Sequence, residues 1–456
     1  MCSVGVAFVA NATFSIDSRT LKKGEVFVAL PGNKVNGHAF ITEALRKGAS
    51  GLLISQQYKQ SIDELDRELK KAVFIGIVPD TYQAILDLAR AWRSVCTCTV
   101  VGITGSIGKT STKEILVDIV KCSGMNYIAS PGNNNTALSV SLSLLQVRKE
   151  HDIAIFEMGV SRRGEMLQMA EIVRPTTGII TAIGHSHMEG LGSLHDIASE
   201  KRALFSQFLP HNIGIVNGDT PLLGAISYNH PIIKFGLKTT NQIQVRKIQT
   251  HGFNASFLLK LYQEKYTVTL GTNHIGRIMN ALAASAAACQ LGISGDIIVK
   301  ALEQSTAVES RFKMSTMYKR AGTLIDDAYN ASPESMKAAL LAFEKIESKG
   351  NKIVVLGDML ELGVKSPFWH RQLGRFLRKV PSLTHVILVG KQVELTKKTV
   401  PFGLQVEHVS TWRCALDLLE PLMAQKESTV LVKGSHGTLL HELVKELTTK
   451  ESTQGA

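Results

Sequence analysis

A chain of 456 residues, 44% hydrophobic and 20% charged, exceeds one ordinary core and reads as about two to four globular domains, not as a fibrous or disordered protein. Lys and Arg total 51 against 39 Asp and Glu, giving +12, but the excess is spread in pairs such as Lys397-Lys398 without interleaved aromatics; it gives nucleic acid no support and suits a polyanionic small substrate equally well. No run reaches the roughly 18 apolar residues of a membrane span, and six scattered cysteines (Cys2, Cys96, Cys98, Cys122, Cys289, Cys414) form neither a disulfide framework nor a zinc pattern, so a soluble protein of a reducing, cytoplasmic compartment is expected.

Three blocks follow in chain order. The first runs over residues 1–95. Its apolar opening, Met1–Ala10, lacks a preceding Lys or Arg and reads as a strand rather than a signal peptide. Strand-like runs come at Val26–Leu30, Gly51–Ile54 and Val73–Val78, and a helical stretch at Thr81–Val95. The second block, 96–309, opens with the β-branched run Thr97–Ile103. Further runs at Asp152–Phe156, Gly178–Ile183 and Ile213–Asn217 alternate with helical stretches, the pattern of a parallel, doubly wound α/β sheet. Residues 242–270 change to a two-residue period (Ile243, Val245, Ile248; Tyr266, Val268, Leu270), which predicts an antiparallel annex, followed by an Ala-rich helix over Asn280–Leu291. The third block, 310–456, repeats the α/β alternation, with strands at Thr323–Asp326, Lys352–Leu356, His385–Val389, Gln405–Val409 and Ser428–Val432. Its polar tail, Lys450–Ala456, reads as disordered.

The strand ending at Ile103 runs into Gly105-Ser106-Ile107-Gly108-Lys109-Thr110-Ser111 and then a predicted helix. Glycines let backbone amides turn toward phosphate oxygens, the helix N-terminus adds partial positive charge, and Lys109 reaches the outer phosphates. Thr110 would place its hydroxyl on magnesium. Ile103 stands where the general pattern has its first glycine, but the strand–loop–helix context holds, and a nucleotide site is expected. A kinase, GTPase or motor would share this loop, so it does not by itself name a reaction.

Several longer segments do. Gly102–Glu114 (GITGSIGKTSTKE), Ile155–Glu165 (IFEMGVSRRGE), Ile183–Ser193 (IGHSHMEGLGS), Leu324–Leu340 (LIDDAYNASPESMKAAL) and Val355–Gly363 (VLGDMLELG) occur in the order found in Mur ligases, and the N-terminal Asp17-Ser18-Arg19 and Gly37-His38 fit as well. The chain thus resembles the Mur ligase family over essentially its whole length. The resemblance implies an α/β protein of three domains: an N-terminal UDP-substrate domain, a central P-loop ATPase and a C-terminal Rossmann-like domain that closes over the nucleotide. It implies an ATP-dependent amide ligase of peptidoglycan precursor synthesis. The partners would be a UDP-N-acetylmuramoyl tripeptide and D-alanyl-D-alanine, joined through an acyl phosphate by a monomer. A relative adding a single amino acid (diaminopimelate or lysine) is the near alternative, and a P-loop phosphotransferase the distant one.

By chemistry alone, Glu157 at a buried strand end needs a metal, a cap or an ion pair. His187 could be a surface histidine and Lys201 a solvent-facing helix lysine. The resemblance makes Glu157, His187, Thr110 and Lys201 ligands of two magnesium ions, with Lys201 carbamylated by CO₂. A bare ammonium would repel a cation that a carbamate oxygen can bind. It also places Lys109, His187 and Lys201 in catalysis and Asn280, Arg311, Asp327, Asn330 and Lys433 on the nucleotide. Ser18, Arg19, Gly37, His38 and Asn133 fall on the UDP substrate. Asp358 and Glu361 either touch D-alanyl-D-alanine or order a loop. The chain departs from the family at Asn36, Thr136, Ala182 and Gly276-Arg277, with His274 displaced, so its substrate and adenine contacts are expected to differ there.

Overall fold

The computed structural model describes residues 12–32, 35–63, 73–305, 311–317, 322–424 and 427–448. The expected strand at Met1–Ala10, Cys2, the tail Lys450–Ala456 and the limit at 309–310 lie outside the described residues.

Three sheets account for the three blocks. The first is parallel throughout, with β1 (Phe14–Ser15), β2 (Val26–Val28), β3 (Gly51–Ser55) and β4 (Phe74–Val78) lying side by side in chain order. One face carries its own core around Phe27, Ile41, Leu45 and Leu52. From the other face Phe14, Val28 and Leu53 join Ile85, Leu86 and Trp92 of the helix Thr81–Arg93 in a core continuous with the central domain. Trp92 Nε1 donates to Val147 O at 3.1 Å, so this helix is docked by a directed bond as well as by its apolar stripe.

The central sheet has nine strands. β5 (Thr99–Thr104), β6 (Tyr127–Ala129), β7 (Ile153–Glu157), β8 (Thr177–Ile180), β9 (Ile213–Asn217), β10 (Ile232–Gly236), β11 (Ile243–His251), β12 (Asn254–Leu261) and β13 (Glu264–Leu270) are arranged 13-12-11-10-9-8-5-7-6. β5, β7 and β8 are buried along nearly their whole length and mostly apolar, because helices cover both faces. β5 is flanked by β7 and β8: the chain runs from β5 out to β6, back to β7 and then across β5 to β8, so the direction of strand order reverses at β5. A doubly wound sheet binds ligands at such a switch point, beyond the carboxyl ends of its strands. The expected annex is real: β11, β12 and β13 pair antiparallel. Its hydrophobic phase slips between Val245 and Ile248 because a β-bulge interrupts the register between Arg246 and Gln249, with Lys247 at φ 52°. The Ala-rich helix starts earlier than expected, at Ile275, and runs to Gln290 against the phosphate-loop helix Lys109–Ser123. Alanine lets the two backbones approach closely.

The third sheet has six strands, β14 (Lys313–Thr316), β15 (Gly322–Asp327), β16 (Lys352–Gly357), β17 (His385–Val389), β18 (Gln405–Val409) and β19 (Ser428–Lys433), arranged 14-15-19-16-17-18. All pairs are parallel except β14 with β15, and separate cores cover the two faces. Sequence reading found neither β1, β6, β10 nor β14. Each is short or lies at a margin of the parallel run, where little apolar periodicity accumulates.

Candidate active site

β5 ends at Thr104, and the chain enters the helix Lys109–Ser123 through two left-handed glycines, Gly105 at φ 152° and Gly108 at φ 90°. Neither tolerates a side chain. A Cβ on Gly105 would stand 1.9 Å from Thr181 Oγ1, and one on Gly108 2.2 Å from Asn280 Oδ1. The loop is fastened from β8: Thr181 Oγ1 donates to Ile107 O at 2.6 Å and Ser106 N–H to Ala182 O at 2.8 Å. Lys109 folds back over the loop with Nζ 3.0 Å from Gly105 O. Burial drives its ammonium below the usual range, the nearby Glu157 carboxylate opposes this, and Arg311 adds to it. An anion delivered to this loop would replace the missing solvation of that amine.

Around the loop lies a cleft of about 720 Å³ between the central and C-terminal domains. Ser106, Gly108, Lys109, Thr110, Ser111 and Asn280 line one wall; Arg311, Asp327, Asn330 and Lys433 line the facing wall. β15 and β19 place Asp327 opposite Lys433 in register, and their side chains form a buried ion pair of 2.7 Å. Burial raises the Asp327 carboxyl, against the pull of Lys433 and Arg311. Lys433 also donates to Asn330 O at 2.9 Å, and Phe312 N–H donates to Asp327 Oδ1 at 3.1 Å, which ties the linker to the sheet edge. His274, at the start of the Ala-rich helix, also lines the cleft; burial and the charges of Lys433 and Arg277 push it down to about 3, so it is a neutral imidazole. The altered residues Gly276 and Arg277 line the same wall.

The expected metal residues are gathered with one qualification. Thr110, Glu157 and His187 line the cleft; Lys201 does not, and is buried behind it to 1% exposure on the helix Leu194–Arg202. Glu157 is also 1% exposed; Oε1 accepts from Asn135 Nδ2 at 2.8 Å, while buried Oε2 has no hydrogen-bond partner. Among the described residues no hydrogen bond or ion pair engages the Lys201 amine. Burial holds it well below the usual lysine range, Lys109 adding to the effect against Glu200. Nor does any trio of His, Cys, Asp or Glu converge among the described residues as a ready-made metal site. Of the four expected ligands, the cleft holds an unsatisfied carboxylate oxygen on Glu157, the Thr110 hydroxyl and the His187 imidazole, donors that suit a divalent ion.

Contacts across the cleft went unread in the sequence. Asn133 Nδ2 donates to Tyr329 Oη, and the Arg311 guanidinium stands 3.8 Å from the Tyr329 ring centroid. His185 Nδ1 lies 2.5 Å from Glu334 Oε1, and its ring packs on Trp369 at 4.4 Å. Glu361 approaches His187 at 2.6 Å, off the direction of a ring N–H. Asp358 orders a loop: its carboxylate accepts from the backbone N–H groups of Lys391, Gln392 and Val393. The cross-cleft pairs His185–Glu334 and Asn133–Tyr329 join residues 149 and 196 positions apart, and no local pattern marks them.

The N-terminal substrate residues stand apart from this cleft. Ser18 Oγ donates to Glu43, Arg19 is solvent-exposed and ion-paired with Asp17, and Gly37 starts a short 3₁₀ turn. His38 is buried and neutral: its Nε2 accepts from Ser55 N–H at 3.0 Å, Nδ1–H donates to Asn36 Oδ1 at 2.9 Å, and its ring stacks on Tyr58. Of the five, only Asn133 lines the cleft, together with Tyr82 from the helix Thr81–Arg93.

This arrangement matches known proteins in all three blocks. Family models match residues 13–93 (Mur ligase family, catalytic domain), 103–288 (Mur ligase middle domain) and 310–436 (Mur ligase, glutamate ligase domain). The UDP-N-acetylmuramoyl-tripeptide--D-alanyl-D-alanine ligases of Treponema pallidum and Bacillus subtilis are 34% and 31% identical, each match covering 94% of this chain and 92% of the relative. MurF from Acinetobacter baumannii superposes with a TM-score of 0.85 at 27% identity, covering 98% of both chains. MurF from Thermotoga maritima in complex with ADP gives 0.82 at 27% identity, covering 96% of this chain and 97% of that one. Full-length similarity, three matching domains and a phosphate loop facing a closing Rossmann-like sheet lead to one conclusion: the chain belongs to the Mur ligase family.

Proposed function

We propose that this protein is the ATP-dependent ligase that adds D-alanyl-D-alanine to a UDP-N-acetylmuramoyl tripeptide in peptidoglycan precursor synthesis. The observation that carries the reading is an unsatisfied carboxylate oxygen (Glu157) in the cleft of a phosphate loop, with a buried amine (Lys201) whose charge is opposed by Lys109 of that loop, in a chain that matches ligases of this name along 94% of its length. A phosphotransferase would need the loop but has no use for that amine. The domains are assigned to residues 1–95, 96–309 and 310–456, and the enzyme is taken to work as a cytoplasmic monomer. No helix among the described residues is long and apolar enough to cross a membrane.

The terminal carboxylate of the tripeptide attacks the γ-phosphate of ATP; the bond from that phosphorus to the β–γ bridging oxygen breaks, ADP leaves, and the acyl phosphate forms. Two unit charges about 4 Å apart repel by roughly 4 kcal/mol at an effective dielectric near 20, and the phosphates carry several. Lys109, the loop amides and the N-terminus of the helix Lys109–Ser123 hold the phosphates. Lys433 and Arg311 approach from the closing domain, and Asp327 and Asn330 fix the nucleotide side of that wall. Thr110, Glu157, His187 and Lys201 would hold magnesium, two ions in this reading, which when bound neutralises charge between the two anions. The neutral Lys201 amine adds through its lone pair to the carbon of CO₂ and loses a proton, which turns a repelling group into an anionic ligand. The amino group of D-alanyl-D-alanine then attacks the acyl phosphate carbonyl, the amide forms and phosphate leaves. The cross-cleft contacts of Tyr329, Glu334 and Glu361 hold the C-terminal domain over the site and keep water from the acyl phosphate. Ser18, Arg19, Gly37 and His38 are assigned to the UDP end, remote from the chemistry.

The test is phosphate release from ATP and UDP-muramoyl tripeptide with D-alanyl-D-alanine, against D-alanine, diaminopimelate, lysine and glutamate as single acceptors. Turnover with one single amino acid and none with the dipeptide would move the assignment to another member of the family.

A further inference from the structure

Lys113 is 1% exposed although it sits in the first turns of the phosphate-loop helix, four residues after Lys109. Residues four apart on a helix share a face, so the two amines project along one side of it. Lys109 covers the phosphate loop. Lys113 instead reaches the segment after β6: its Nζ donates to Ser130 O at 2.6 Å and to Gly132 O at 2.5 Å, with Glu114 Oε1 as a third oxygen at 2.8 Å. A buried ammonium surrounded by three oxygens is satisfied, and the two carbonyls it holds are backbone atoms, so it fixes the path of the chain rather than one side chain.

What that chain carries makes the tie functional. Gly132 turns it in the left-handed region at φ 53°, and the next residue, Asn133, lines the cleft and donates to Tyr329 of the C-terminal domain. Ser130, itself 1% exposed, accepts on Oγ from the backbone N–H of Glu157 at 3.0 Å. One ammonium thus joins the phosphate-loop helix to the loop that presents Asn133 and to the strand end that presents Glu157. We infer that Lys113 is a positioning residue for the muramoyl-peptide substrate: it sets the loop of residues 130–133 at a fixed distance from the phosphate loop, so that the substrate carboxylate and the γ-phosphate are held in register. The inference rests on the ligase reading above.

The experiment is Lys113→Met, which keeps the stem and removes the ammonium. The KM for UDP-muramoyl tripeptide should rise roughly tenfold to a hundredfold, the scale of a misplaced positioning contact, while the KM for ATP stays near wild type because Lys109, Thr110 and the loop amides are untouched. Hydrogen exchange of residues 130–135 in the ligand-free protein should accelerate. Unchanged KM values and unchanged exchange, with only lower thermal stability or yield, would overturn the inference and leave Lys113 as a structural lysine. If Lys113→Met does not accumulate as folded protein, Lys113→Gln, which keeps a donor for one carbonyl, takes the same two measurements; intermediate exchange and KM support the inference, and wild-type values for both overturn it. Exchange does not depend on turnover. A wild-type protein that forms no amide therefore sinks the ligase reading alone.

Discussion

The carboxylate of Glu361 reaches across the cleft to within 2.6 Å of His187 Nδ1, joining a loop of the C-terminal domain to a histidine for which the family resemblance implies a metal role. Glu361 sits at φ 62°, so its backbone is held in a conformation uncommon for a residue with a Cβ. His187 holds the Glu361 carboxyl below its usual range. A carboxylate depressed in the folded state adds stability above its ordinary value near 4.5 and loses it as pH falls through the lowered one. The contact therefore favours the closed arrangement at neutral pH and releases it on acidification. Glu361→Ala should increase the radius of gyration of the ligand-free enzyme in small-angle scattering at pH 7. An unchanged radius would show that Glu361 has no part in closure.

Lys201 should trade stability for activity. Lys201→Ala is expected to lose turnover, because no anionic ligand can form there, and to recover part of it with short-chain carboxylic acids that occupy the vacated space. Lys201→Met should stabilise the protein in denaturant at neutral pH by roughly 0.5–2 kcal/mol, the usual gain from relieving a functional site. The sign follows from burial of the uncarbamylated amine: a lysine held below its usual range in the folded state opposes folding at every pH below its unfolded value. Full activity in Lys201→Ala would refute the carbamate.

Lys109→Ala should reduce acyl phosphate formation by at least about 100-fold, the order of loss when a preorganised electrostatic contact is removed. Trapping of the acyl phosphate by hydroxylamine gives the readout. Undiminished trapping would take the phosphates away from this loop.

Lys433→Met leaves Asp327 buried without its partner and should destabilise the C-terminal domain by about 3–5 kcal/mol. Burial already raises the Asp327 carboxyl, so removing the ammonium raises it further and the variant should regain stability as pH falls, when the acid is neutral. Denaturation at pH 7 and pH 5 measures both. A loss below about 1 kcal/mol would class the pair with weak surface bridges.

Much of this protein is local enough to read along the chain. Continuous β-branched runs announced β5, β7, β9 and the inner strands of the third sheet, because burial on both faces requires that composition. Gly105, Gly108 and Lys109 announced a phosphate loop, because left-handed backbone and a single amine at helix onset are fixed by neighbours in sequence. What the tertiary structure alone decided is how the far-apart pieces meet. Only the fold sets Lys433 opposite Asp327, Tyr329 beneath Arg311 and against Asn133, and Glu361 beside His187. It also separates Lys109 from Lys113, which look alike in sequence: one lines the cleft and the other is walled in by two carbonyls of a loop nearly twenty residues on. Backbone dihedrals and hydrophobic period are set by the nearest residues, whereas burial and pairing of charge depend on which strands and loops the sheets bring side by side.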